Sequence, residues 1–190
     1  ALIMRAWLSV LGSPYTIEAR PVGRGREVEM TCRERLEQLF RERGVQCKVT
    51  THAEVYTAQE VAAVEHVSGY AVAKTVAVSA DGTLVLVVLP APHRVDITKV
   101  KRALGAKEVR LAKEEEFGRV FTDCEVGAMP PFGSLYGVPV HVDRTLTQDP
   151  QIVFRAGTHR ETMTVAYADF ERLERPQVGD FAAPPSVPAT

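Results

Sequence analysis

Leu84-Val85-Leu86-Val87-Val88-Leu89 is an unbroken run of apolar residues. A strand with one wet face alternates apolar and polar residues, so a run with no polar member predicts burial on both faces. The preceding segment, Ala71 to Ser79, is also apolar and β-prone, and only Ala80-Asp81-Gly82 separates the two. Asp-Gly between β-rich runs predicts a tight hairpin, because the glycine accepts the positive φ that such turns require. Pro90 and Pro92 end the second strand, since proline cannot donate to a ladder. Helices and strands alternate early in the chain and hairpins dominate late, which predicts a mixed sheet wrapped by helices.

The flanking segments supply those helices. Thr31-Cys32-Arg33-Glu34 reads as a capping box, in which the Thr31 hydroxyl bonds the Glu34 N–H and the Glu34 carboxylate reaches back. Cys32, Leu36, Leu39 and Phe40 follow at helical spacing, and Gly44 stops the helix. Val45 to Thr51 predicts a strand, and a second capping box at Thr57-Ala58-Gln59-Glu60 opens a helix to about His66. Asp96 caps a short helix with Ile97, Val100 and Leu104 inward, and Gly105 ends it. Val109 to Leu111 reads as a strand and Lys113 to Val120 as a helical turn or two. Val138 to Val142 reads as a strand near a sheet edge because it contains Pro139. Gln151 to Phe154 and Glu161 to Ala166 form a further strand pair, and Ala168 to Leu173 a last helix. The sum is a single mixed α/β (α+β) domain over residues 30–176. Residues 1–29, broken by Pro14, Pro21, Gly23 and Gly25, read as a leader or upstream extension outside the core. Residues 177–190 read as a fraying Pro- and Ala-rich tail.

Charge and cysteine use narrow the function. A net charge of -1 supplies no global field to attract nucleic acid, so any RNA contact must be a local patch. Lys99 and Arg102, three apart on the helix after Asp96, are the candidates for that patch. The three cysteines, Cys32, Cys47 and Cys124, have neither zinc-type nor C-x-x-C spacing and point to a reducing, cytoplasmic setting. No apolar run reaches the ~18–20 residues that span a bilayer. His66, His93 and His141 are scattered without metal-ligand spacing and read as structural or surface residues, and no metal or cofactor is implied. His52, just before the second helix, is the exception as a ligand contact.

Three places can carry chemistry. Lys74 interrupts the apolar strand Ala71–Val78. It either sits where its face meets solvent, or offers a charge to a phosphate or polarised carbonyl. Gly127-Ala128-Met129-Pro130-Pro131-Phe132-Gly133 cannot be helix or interior strand. Its prolines stiffen it and its glycines allow close backbone approach, so it is either a ligand wall or a rigid turn. Gly157-Thr158-His159 follows a strand and either presents N–H groups to an anion or simply closes a hairpin. No nucleophile elbow, P-loop or dinucleotide fingerprint is present, and no residue stands out as a general base.

In this order these residues resemble the YbaK/prolyl-tRNA synthetase-associated editing domain family. The landmarks are His52 with Thr57-Ala58-Gln59-Glu60, Ala73-Lys74-Thr75-Val76, Leu89-Pro90-Ala91, the Gly127–Gly133 loop, Asp143, Phe154-Arg155-Ala156-Gly157 and Asp169-Phe170. The resemblance implies a curved mixed sheet wrapped by short helices, and a free-standing deacylase that hydrolyses the ester of mischarged tRNA. Its partners would be the aminoacyl-tRNA acceptor end and an aminoacyl-tRNA synthetase. A synthetase pocket separates near-isosteric amino acids by only ~1–3 kcal/mol, which is why a second sieve exists. By the same resemblance Lys74 contacts the terminal adenosine phosphate or the ester. His52, Thr75, Gly127, Pro131, Phe132, Gly133, Thr158 and His159 shape the substrate site, and the Gly157 loop polarises the ester carbonyl through backbone N–H groups. Thr75 after the lysine fits the YbaK-like branch better than branches with Asn there. A non-catalytic module that binds tRNA or a synthetase would use the same residues.

Overall fold

The computed structural model describes residues 30–183. The leader expected over residues 1–29 lies outside them. The central hairpin is present as β2 (Ala73–Ala80) and β3 (Thr83–Pro90), paired antiparallel in full register from Ala73↔Pro90 to Ala80↔Thr83. Asp81 and Gly82 form the turn with φ of 48° and 82°. The Asp81 carboxylate also accepts from the N–H groups of Lys107 and Glu108, which ties the turn to the sheet's far edge.

Around the hairpin lies a five-stranded sheet of order β5 (Val109–Leu111), β2, β3, β6 (Val140–Asp143), β9 (Gln177–Gly179). β6 joins β3, and β9 joins β6, in parallel. A separate antiparallel sheet has the order β1 (Cys47–Thr51), β8 (Glu161–Ala166), β7 (Gln151–Arg155). The two sheets meet at one bridge, Val72 to Val153. The strands are therefore mixed as expected, but shared among three sheets, these two and a short two-stranded one, rather than carried on one.

Both faces of β3 are covered, as its composition requires. Leu86 and Val88 enter the main core with Leu36 and Phe40 of α1 (Cys32–Arg43) and Phe170 of α5 (Tyr167–Glu174). Val85, Val87 and Leu89 face the other way, onto Val100 of α3 (Ile97–Leu104) and Phe181. At the centre of the main core the Phe132 ring lies 5.1 Å from Phe40, 5.2 Å from Phe154 and 5.5 Å from Phe170. Both capping boxes form, at Thr31–Glu34 on α1 and Thr57–Glu60 on α2 (Ala58–Val64). Lys113 to Val120 holds the short α4 (Glu114–Gly118), in which Glu116 pairs with Arg110 and accepts from the Lys113 N–H.

The tail expected from residue 177 is corrected over its first seven residues. β9 extends the main sheet, and β10 (Ala182–Ala183) pairs with β4 (Arg94–Val95). Buried Asp143 accepts from the N–H groups of Phe181 at 2.7 Å and Ala182 at 2.8 Å, and Phe181 is 2% exposed. The same strap explains why β6 is not an edge strand. Its proline lies just ahead of it, and the Pro139 carbonyl accepts from Leu86 N–H. Composition suggested fraying; one aromatic anchor and one buried carboxylate override it.

Candidate active site

β2 is paired along its whole length with β3, but β5 covers only Val78 to Ala80 on its other edge. The Ala77 carbonyl accepts from Ala112 N–H on that second side. With the two-residue period of a strand, Thr75 turns its own N–H and C=O the same way, past the end of β5. A cleft of about 400 Å³ lies along this open stretch. Lys74, Thr75 and Ala77 line one wall, Gly127 and Met129 a second, and Arg155, Tyr56 and Gln59 the mouth. A narrow pouch of about 30 Å³ continues inward, lined by Ala58, Val61, Val72, Ala73 and Met129 beside Lys74, Gly127 and Arg155. Larger depressions of about 530 and 560 Å³ lie elsewhere on the surface, but neither contains Lys74 or the glycine loop.

The cleft is cationic. No residue lining it is acidic, and two are basic. Lys74 is half-buried, and its ammonium donates to the Ala91 carbonyl at 3.2 Å and to the His93 carbonyl. An ammonium has three donors, so one remains for a ligand. Burial lowers the Lys74 pKa from its ordinary value, and repulsion from Arg94 adds to that. Arg155, at the end of β7, donates to the Gly127 carbonyl at 3.1 Å and the Val55 carbonyl at 2.8 Å. It thus holds the glycine loop and the segment before α2 as the two lips of the cleft. Neither cation has a carboxylate within salt-bridge distance among the described residues.

Of the residues given a site role from the sequence, Lys74, Thr75 and Gly127 meet in the cleft, and the others do not line it; the landmark residues Thr57, Ala58, Gln59, Val76, Met129 and Arg155 line it as well. Pro131, Phe132 and Gly133 are buried beneath the loop. Phe132 belongs to the main core, and a Cβ on Gly133 would lie 2.7 Å from Val140 Cγ2. They support the wall rather than form it. Gly157 N–H donates to the Ala128 carbonyl at 3.1 Å, and its carbonyl accepts from Glu125 N–H, so its N–H is not free to polarise an ester. Gly157 packs instead on α1, where a Cβ would sit 2.5 Å from Cys32 Cβ. Thr158 lies in a different depression beside α1 and bonds Glu161. His52 and His159 also stand behind the lips. His52 Nδ1 contacts the Ala53 carbonyl, while the His159 ring lies tilted against Tyr56, 4.8 Å between centroids, with Nε2 on the Val126 carbonyl. Lys99 is bonded to Asp180 and the Ala182 carbonyl, which makes it a strut for the C-terminal strap, whereas Arg102 is exposed. Sequence reasoning passed over Arg155 and Met129 as site residues. An arginine ending the apolar strand Ile152-Val153-Phe154 was the available signal, of the same kind as Lys74.

Residues 52–173 match the family model described as the aminoacyl-tRNA editing domain. The chain belongs to that family. At family level its activity is aminoacyl-tRNA editing, a deacylation that hydrolyses the ester between an amino acid and tRNA. The chain is similar to the "Multifunctional Ser/Thr-tRNA deacylase ProXp-y" of Escherichia coli (strain K12), at 26% identity over 159 residues, covering 78% of this chain and 91% of that protein. It is also similar to part of a "Proline--tRNA ligase" of Bacillus cytotoxicus, at 34% identity over 88 residues, which is 46% of this chain and 15% of the ligase. Two solved structures share the fold, each with a TM-score of 0.72. One, titled hypothetical protein APE2540, is 24% identical and covers 79% of this chain and 100% of its own. The other, provisionally titled a trans-editing enzyme for prolyl tRNA synthetase, is 23% identical and covers 81% and 98%. Among the described residues no helix is long and apolar enough to cross a membrane.

Proposed function

We propose that the chain is a free-standing deacylase whose reaction takes place in the cleft between the open edge of β2 and the Gly127 loop. The observation that carries this reading is the pairing of two basic side chains, Lys74 and Arg155, with unpaired strand backbone in a cleft without an acidic lining residue. An aminoacyl-tRNA end needs both features. Its terminal adenosine brings phosphate oxygens, and its ester carbonyl becomes an oxyanion when attacked.

Lys74 contacts the terminal phosphate or the ester through its remaining donor. The Thr75 N–H, rather than the Gly157 N–H, is the backbone donor available to the ester oxygen. One such donor is worth ~10²–10³ in rate. Water is the nucleophile, oriented by backbone groups or by the substrate itself, since no carboxylate lines the cleft to act as base. The amino-acid side chain enters the pouch, whose size of about 30 Å³ fits a small group such as a methyl or hydroxymethyl. The resemblance to part of a proline–tRNA ligase supports a synthetase as working partner, in the cytoplasm where charged tRNA is made.

The test is hydrolysis of tRNAs charged with Ala, Ser, Cys, Thr and Pro by the protein and by Lys74→Ala. Selective cleavage of small charges that falls by ~10–100-fold in the variant is expected, from the ~1.5–3 kcal/mol of one hydrogen bond to a charged group. Cleavage indifferent to Lys74→Ala would overturn its role. Binding of aminoacyl-tRNA without cleavage would instead favour a tRNA-binding module.

A further inference from the structure

The cleft has a cationic continuation on one face of the main sheet. Lys74, Val76 and Val78 share a face of β2, and Val76 and Val78 pack there with Val100 of α3. Leu89, directly across from Lys74 on β3, belongs to the same layer. Lys74 therefore points to the side of the sheet that α3 covers. The His93 carbonyl that receives its ammonium belongs to the peptide joined to Arg94, the first residue of β4. α3 follows at once, and its sequence Ile97-Thr98-Lys99-Val100-Lys101-Arg102-Ala103-Leu104 holds three cations and no carboxylate. Lys99 is engaged by Asp180 and the Ala182 carbonyl of the C-terminal strap. Lys101 lies about 200° further round the helix, on the flank away from the strap, and Arg102 faces outward between the two. Arg94, Lys101 and Arg102 are exposed, and among the described residues none has a carboxylate within salt-bridge distance. The carboxylates around them are engaged elsewhere. Asp96 caps α3 through the N–H groups of Thr98 and Lys99, Asp180 holds Lys99, and Asp81 accepts from the N–H groups of Lys107 and Glu108.

We propose that Arg94, Lys101 and Arg102 form the docking surface for the double-stranded acceptor stem of the tRNA whose end enters the cleft. This inference rests on the cleft being the site of an aminoacyl-tRNA end. A-form RNA is held through phosphate and ribose contacts rather than through its base edges, so exposed cations without an internal partner are what such a stem requires. With a net charge of -1 the chain has no general attraction for RNA, and the surface that holds the stem must be local and must adjoin the cleft. α3 meets both conditions. It starts beside Arg94, at the Lys74 end of the hairpin, and Lys107 and Glu108 just beyond it bond the Asp81 turn at the other end. Its length of ~12 Å therefore carries the cations away from the cleft, in the direction a duplex attached to a bound end must take. Terminal nucleotide and duplex meet different cations: Lys74 and Arg155 face the end, and Arg94, Lys101 and Arg102 face the stem.

The experiment measures binding of an uncharged tRNA transcript and of a CCA trinucleotide over a salt series. The proteins are wild type, the double variant Lys101→Gln/Arg102→Gln, and the control Arg41→Gln/Arg43→Gln. The control removes the same charge from the last turn of α1, which packs on the opposite face of the sheet. Cations in a last turn also suit the helix dipole, so thermal melts check that both variants are folded. Two lost phosphate contacts should lower the slope of log K against log salt by ~1.4–1.8 and raise the tRNA Kd at least ~10-fold near 0.1 M salt, while trinucleotide binding, and tRNA binding by the control, stay within ~2-fold of wild type. An unchanged slope would overturn the surface and leave α3 to an acidic protein partner. An equal loss in the control, or an equal loss of trinucleotide binding, would overturn it as a general charge effect or as damage to the cleft. Hydrolysis of charged tRNA, run in parallel, separates this surface from the deacylase reading. A wild type that binds tRNA through α3 and cleaves no charge supports the surface and refutes the deacylase. Cleavage by wild type, with full tRNA affinity in Lys101→Gln/Arg102→Gln, does the reverse.

Discussion

Gly157→Ala gives the clearest test of how the site is built. Gly157 has φ of +94°, outside what an L-residue adopts without strain, and an added Cβ would meet Cys32 Cβ at 2.5 Å and Sγ at 2.9 Å. Holding a non-glycine residue in such a conformation costs about 1–3 kcal/mol. The overlap is close to 1 Å beyond ordinary carbon contact, and relieving it by shifting α1 or the turn costs about 1–3 kcal/mol more. The total of about 2–6 kcal/mol translates, at about 2–4 °C per kcal/mol for a domain of this size, into a fall in Tm of roughly 5–20 °C. Gly44 is the control. Its φ of +65° is also positive, but an added Cβ there has nothing within 4 Å, so Gly44→Ala carries the backbone strain without the collision. Urea unfolding should therefore rank wild type above Gly44→Ala above Gly157→Ala. A Gly157→Ala protein within ~0.5 kcal/mol of wild type would refute the packing argument and return Gly157 to consideration as a chemical group.

Arg155→Met should weaken tRNA binding and lower the slope of log K against log salt by about 1, if its guanidinium meets a phosphate; an unchanged slope would leave it a purely structural clamp on Val55 and Gly127. Lys74→Met should remove a pH dependence of stability. A lysine whose pKa is lower folded than unfolded binds more protons when unfolded, so stability rises with pH between its lowered folded value and the ordinary ~10.4; urea melts at a series of pH values approaching the ordinary value from below should show that slope in wild type and not in the variant. Asp143→Asn should cost about 2–4 kcal/mol, because two buried N–H groups lose a charged acceptor, and hydrogen exchange should rise first at 177–183. In wild type the hydrogen bonds to Asp143 hold its pKa below the ordinary value against burial, so its contribution is present at neutral pH and lost as pH falls through that lowered value.

The layered fold was legible because its signals are local. The apolar run 84–89, the Asp81-Gly82 turn and two capping boxes each act within a few residues, and each stands where the sequence placed it. The C-terminal strap was not legible. Phe181 and the Asp143 carboxylate that receives it are 38 residues apart, and composition near Pro176 argues for fraying. Nothing local says that β9 will cover β6. The separation of the two larger sheets has the same cause, since they are joined only by a bridge between Val72 and Val153, 81 positions apart in sequence.

The candidate cleft was legible in its charge and less so in its walls. A lysine in an apolar strand advertises itself whatever surrounds it, and Lys74 reaches the cleft. Loop residues chosen for rigidity divide according to which side of the backbone they face. In the Gly127–Gly133 segment the cleft takes Gly127 and Met129, while Phe132 turns into the core against three phenylalanine rings. Gly157 illustrates the same ambiguity from the other direction. A glycine is needed where backbone meets a ligand and equally where backbone meets a helix, and only the position of Cys32 distinguishes the two. In the proposed reaction, the donor aimed at the ester oxygen comes from the stretch of β2, marked in the sequence by Ala73-Lys74-Thr75-Val76, that β5 is too short to cover. A strand edge left open inside a protein is costly unless something pairs with it. Among the described residues the open edge runs beside two cations without carboxylate partners, so on the proposed reading the cost of leaving it uncovered and the binding of an aminoacyl-tRNA end would have one structural origin.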